Sequence, residues 1–150
     1  MGPLQISQAI DEKGNPGAWV HFYPDELPTF ICRQHWVGVD FDGTLARTDN
    51  DGHFLPPYPL GDPIPEMVAM VKSLLAAGIT VKIFSARACE QASIPAIQAW
   101  TTAQGLGSLE VTNVKDFDLI RFFDDRAIQV VPNEGRHVFP GGSPRPAAAA

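Results

Sequence analysis

An apolar run that stops abruptly at acids constrains this chain more than any other feature: His35-Trp36-Val37-Gly38-Val39-Asp40-Phe41-Asp42-Gly43-Thr44-Leu45. Trp36, Val37 and Val39 read as a short buried strand. Asp40 and Asp42 follow two positions apart, and Gly43 marks a forced turn. Ionised carboxylates at the end of a buried strand need a cation, a donor or water to face. Residues i and i+2 share a side while a strand stays extended, so the turn at Gly43 brings both acids to the mouth of a sheet. A divalent cation would neutralise them there, and oxygen ligands of this kind suit magnesium.

Two more apolar runs end in polar groups of the same usefulness. Ile79 to Phe84 reads as a strand that closes in Ser85-Ala86-Arg87, and Leu119 to Phe123 as one that closes in Asp124-Asp125-Arg126. Between the first two runs, Asp62 to Ala77 reads as a helix, with Asp62 as N-cap and Pro63 at the first helical position. Ile64, Met67, Val68, Val71, Leu74 and Leu75 recur at helical spacing, and Gly78 stops the helix. Strand, helix and strand in this order predict a parallel crossover unit. Parallel sheets bind ligands beyond the carboxyl ends of their strands, so Ser85 arrives at the same edge as Asp40. Its hydroxyl can donate to a phosphoryl oxygen, and Arg87 adds a planar cationic fork. The plainer reading of the same pair is a helix N-cap and a solvated arginine.

Cys89 to Gln104 reads as a second helix with Ile94, Ile97 and Trp100 on one side, started or kinked by Pro95. Leu109 to Thr112 is a short strand, and Lys115 precedes the next apolar run. Ahead of the central strand, Gly14-Asn15-Pro16-Gly17 signals a turn. Ala18 to Tyr23 and Pro28 to Cys32 then form a hairpin beside the main sheet, or a lid. Ala46 to Gly61 is a loop with a small hairpin around Asn50-Asp51-Gly52. Ala127 to Val131 is a short helix or strand, and Arg136 to Phe139 a last short strand.

The organisation expected is an N-terminal extension over residues 1–35, one catalytic core over 36–140 and a disordered Pro-, Gly- and Ala-rich tail over 141–150. A length of 150 residues suits a single domain. The net charge of −6 argues against broad electrostatic binding of nucleic acid. Cys32 and Cys89 make no metal or redox spacing, which fits idle thiols in a reducing compartment. No apolar run approaches a membrane span and no secretory pattern opens the chain. A cytoplasmic protein with no membrane partner is expected.

Asp40-Phe41-Asp42-Gly43-Thr44 after a hydrophobic strand resembles the first motif of the haloacid dehalogenase superfamily, most of whose members are magnesium-dependent phosphohydrolases. The resemblance spans about Trp36 to Val131 and is nearest to small members without a cap domain. It implies an α/β, Rossmann-like three-layer sandwich around a mainly parallel sheet. It further implies that Asp40 attacks phosphorus and that Asp42 is the general acid and base. Ser85 matches the second motif, and Lys115 best matches the third, with Lys72 and Lys82 as rivals. Asp124 and Asp125 match the fourth in its double-acid form. Magnesium would then be held by Asp40, Asp124 and the backbone carbonyl of Asp42, with Asp125 at the metal through water or positioning Lys115. Gly43, Thr44, Ala86 and Arg87 would lie against the substrate. Dehalogenases of the superfamily lack an acid at the Asp42 position, so its presence favours phosphoryl chemistry. The expected substrate is a small phosphomonoester, and a homo-oligomer is one way to screen a site that no cap covers. Asp124-Asp125-Arg126 also resembles the phosphatase domain of phage polynucleotide kinases, which offers a nucleic-acid end as an alternative. A non-catalytic module that binds a phospho-ligand is the other alternative.

Overall fold

A computed structural model describes residues 4–48 and 59–138. In chain order the strands are β1 (Gln5–Ile10), β2 (Pro16–His21), β3 (Thr29–Cys32), β4 (Trp36–Val39), β5 (Thr80–Phe84), β6 (Val111–Thr112) and β7 (Leu119–Phe123). The helices are α1 (Pro65–Ala76) and α2 (Ser93–Ala103). The fold is mixed α/β: a four-stranded parallel sheet ordered β6-β5-β4-β7 and a separate three-stranded antiparallel sheet ordered β1-β2-β3.

β4 is the hub because it has a parallel neighbour on each side. Gly38 stands in register with Lys82 and Phe122, and Val39 with Ile83 and Phe123. Alternation along each strand then sorts the side chains by face. Val37, Val39, Val81 and Ile83 form one face and pack with Val68, Val71 and Leu74 of α1 and Ile97 of α2. The steps β4-α1-β5 and β5-α2-β6 move the same way across the sheet, so right-handed connections put both helices on that face.

Trp36, Lys82, Phe84 and Phe122 share the opposite face. No helix joins β6 to β7, and residues 113–118 make the return in irregular form. That return is tied to the start of β4. The Trp36 indole donates to Asp116 Oδ1 at 2.8 Å, and the Trp36 backbone N–H donates to Asp118 O at 2.8 Å. The indole bond holds the Asp116 carboxyl below its usual range. Of the three layers expected from the sequence, the described residues supply the sheet, helices on one face and an irregular return on the other.

The antiparallel sheet buries Ala18, Val20 and Ile31 in the common core. Phe22 meets Phe123 at 5.8 Å between centroids, and Arg121 donates to Thr29 Oγ1 at 2.9 Å. The sheet therefore sits beside β7, which fits the hairpin reading of this segment, enlarged by β1.

Local corrections have local causes. α1 starts at Pro65, not Pro63, and Ile64 is its N-cap residue in place of Asp62. Asp62 and Pro63 are held extended, because Arg47 N–H donates to Asp62 O at 2.7 Å and Ala46 bridges Pro63. The second helix begins at Ser93, after a short 3₁₀ helix over Ala86–Cys89, so Pro95 falls in its first turn, where a missing N–H costs least. The strand at Leu109 shortens to Val111–Thr112. Val130 and His137 form a single bridge where a helix or strand and a last strand were expected. The Asn50 hairpin, Phe139 and the tail lie outside the described residues. No described helix is long and apolar enough to cross a membrane.

Candidate active site

β4, β5 and β7 end at one edge, and the ladder continues one step past β4: Asp40 N–H donates to Phe123 O at 2.9 Å. Asp40 thus stands beside the acids that follow β7. Carboxylate oxygens of Asp40, Asp124 and Asp125 all lie within 4.8 Å of one another. Three acids so close repel when ionised. The Asp40 carboxyl is pushed up to about 7, first by burial, then by its hydrogen bond with Asp125 and the charge of Asp124.

The turn after Asp40 is built to hold this cluster. Gly43 N–H donates to Ala46 O at 2.8 Å and Ala46 N–H to Phe41 O at 2.9 Å, with Gly43 at φ +86°. A Cβ on Gly43 would stand 2.5 Å from Asp125 Oδ2, so glycine is required both for the backbone and for the approach. The Thr44 hydroxyl lies 3.4 Å from Asp40 Oδ2 and 3.2 Å from Asp125 Oδ1, and accepts the Asp125 N–H at 3.1 Å. Gly43 and Thr44, expected at the substrate, serve here to seat Asp125.

Asp42 points elsewhere. Arg87 grips it with Nε on Oδ2 at 2.7 Å and Nη2 on Oδ1 at 2.8 Å, and donates to Pro59 O at 3.2 Å. The Arg87 side chain is 7% exposed and that of Asp42 17%, so this is a shielded bidentate pair. Ser85, 4% exposed, accepts the Arg87 N–H at 3.1 Å. The cap reading of Ser85 is therefore realised, and the residue also lines the cavity described next.

A cavity of about 650 Å³ opens over this edge. Of the residues singled out in the sequence, Asp40, Asp42, Ser85, Ala86, Arg87 and Asp124 are in its wall, and Gly43, Thr44 and Asp125 are not. Lys115 is not in that wall. It is exposed, two residues beyond Asn113, which is the last pocket residue before the return leaves this edge. Position before an apolar run carried no information on that descent. None of residues 4–35 lines the cavity, so the lid reading of the N-terminal segment finds no contact there. The sequence reading missed Phe84, Cys89, Glu90, Asn113, Phe122 and Arg126 as lining residues. One signal was present: Phe122 lies two positions before Asp124 and so shares its face.

The donor set is all oxygen, drawn from clustered carboxylates that a cation would relieve, and it fits magnesium among the hard divalent ions. No family model matches the sequence, and no curated protein or solved structure matches it either. The likeness to the haloacid dehalogenase superfamily stands on the motif residues alone.

Proposed function

We propose that this chain is a magnesium-dependent phosphomonoester hydrolase of the haloacid dehalogenase type, with a Rossmann-like core, working in the cytoplasm. The observation that carries the reading is the meeting of Asp40, Asp124 and Asp125 within 4.8 Å at the sheet edge. The free thiols Cys32 and Cys89 agree with a reducing compartment.

Asp40, Asp124 and Asp125, with the Asp42 carbonyl, would hold the ion. When bound, magnesium supplies positive charge that offsets the phosphoryl oxygens. Asp40 attacks phosphorus in line, the bond to the ester oxygen breaks, and an aspartyl-phosphate forms. Ser85 donates to a phosphoryl oxygen. Asp42 gives its proton to the departing alkoxide, then takes one from the water that splits the acyl-phosphate and releases phosphate. Asp42 enters that role only after Arg87 gives up at least one of its oxygens, since both are accepting bonds.

The test is phosphate release from 4-nitrophenyl phosphate with magnesium. Release that disappears in Asp40→Asn and on chelation is expected. No release from a broad panel of phosphomonoesters overturns the reading. The Arg87 grip on Asp42 favours a second reading, a module that binds a phospho-ligand without turning it over. It predicts stabilisation by inorganic phosphate plus magnesium with no release from any ester.

A further inference from the structure

The cavity is larger than phosphoryl chemistry needs. Its volume of about 650 Å³ lies in the range of pockets for small organic ligands. The added space lies over aromatic rings. Phe84 follows Lys82 by two positions and Phe122 precedes Asp124 by two, so both rings stand on the face that carries the Asp40 and Asp124 side chains. Their centroids are 4.8 Å apart at 86°. Both stay half-buried, because residues 113–118 run where a crossover helix would cover them. Gly38, in register with Phe122, adds no side chain. A Cβ there would meet Phe122 Cδ2 at 3.0 Å and Trp36 Cζ3 at 3.1 Å. An apolar floor of two edge-to-face rings therefore adjoins the acids that would handle phosphate.

We infer that this floor receives an aromatic ring carried by the leaving group, so that the substrate is a phosphomonoester of an aryl-bearing alcohol and not a sugar or glycerol phosphate. The inference rests on the hydrolase reading and names its substrate class. A ring laid on Phe84 and Phe122 excludes water and gains the offset or edge contacts that aromatic pairs favour. Sugar hydroxyls placed there would lose water and find no partner on the two rings.

The experiment compares kcat/KM for 2-phenylethyl phosphate and ethyl phosphate, whose leaving oxygens are of similar basicity, so that ring binding and not leaving-group chemistry is read. A nucleoside 5′-monophosphate in the same series tells a nucleobase from a simple phenyl ring as the source. The wild type is expected to prefer 2-phenylethyl phosphate by roughly three- to tenfold, mainly through KM. That ratio falls towards one in Phe122→Ala and in Phe84→Ala. Phe122→Leu keeps the apolar volume and loses the ring, so it carries the test if the alanine variants do not fold. Equal use of the two esters by the wild type, or a preference that survives loss of the Phe122 ring, overturns the inference and leaves the hydrolase reading standing. No release from either ester, nor from 4-nitrophenyl phosphate and the rest of the panel, overturns both.

Discussion

On one face of the parallel sheet, Val37, Val39, Val81 and Ile83 lie under α1 and α2 and are at most 3% exposed. On the other, Lys82, Phe84 and Phe122 are only half-buried and a cavity opens beside them. The same strands build both faces, because successive residues point opposite ways. Burial on the helical face fixes the strands, and the fixed strands hold Asp40 and Asp124 at the end of the open face. Moving one residue along a strand near this edge therefore passes from a position that holds the fold to one that faces the cavity.

The largest effect expected lies on the open face and on activity. Asp40→Asn should cut phosphate release by at least about 10³-fold, while circular dichroism stays native and the metal-free melting temperature does not fall. A comparable loss of fold in that variant would erase the distinction between the faces. Next comes the helical face. Leu74, fully buried, should cost about 2–5 kcal/mol of unfolding free energy on Leu74→Ala, by urea titration. Phe122→Ala on the open face should cost less than about 1.5 kcal/mol; equal costs would break the comparison. Gly43→Ala should cost roughly 1–3 kcal/mol from its left-handed backbone. It should also weaken magnesium binding, since the added methyl displaces Asp125.

The last effect is in the pH dependence of the metal-free protein. Asp40 is raised from 3.8 to about 7. A carboxyl raised on folding binds its proton more tightly in the folded state. Its contribution is therefore full below about pH 4 and is lost as pH climbs through 7. Between pH 4.5 and 7.5 the wild type should lose a few degrees of melting temperature relative to Asp40→Asn, which lacks the titrating group. Parallel curves for the two proteins would remove the burial and the repulsion argued for Asp40.

The strands that carry the site were legible because each is an apolar run ended by polar groups, and β5 and β7 differ little from their expected spans. β1 was not legible. Gln5, Ser7 and Gln8 are exposed, and only Ile6 and Ala9 turn partly inward, so alternation is weak. The true start of α1 depends on pairing between residues 45–47 and 62–64, a contact across a loop that local capping signals do not encode. The convergence of Asp40 with Asp124 and Asp125 was expected from acids at strand ends together with the resemblance to the haloacid dehalogenase motifs. The Arg87–Asp42 pair did not, because a fork beside two acids can serve either a ligand or its neighbour. Phe84 and Phe122 read only as members of strands; the missing crossover helix leaves them facing a cavity.

The central claim is that Asp40, Asp124 and Asp125 form one cation site. Thermal melting of the wild type and of Asp124→Asn with rising magnesium tests it most directly. The wild type should gain stability saturably, by about 2.7 kcal/mol at a hundred times the dissociation constant, and Asp124→Asn should gain far less. A wild type that ignores millimolar magnesium, or a variant that responds as the wild type does, would contradict it.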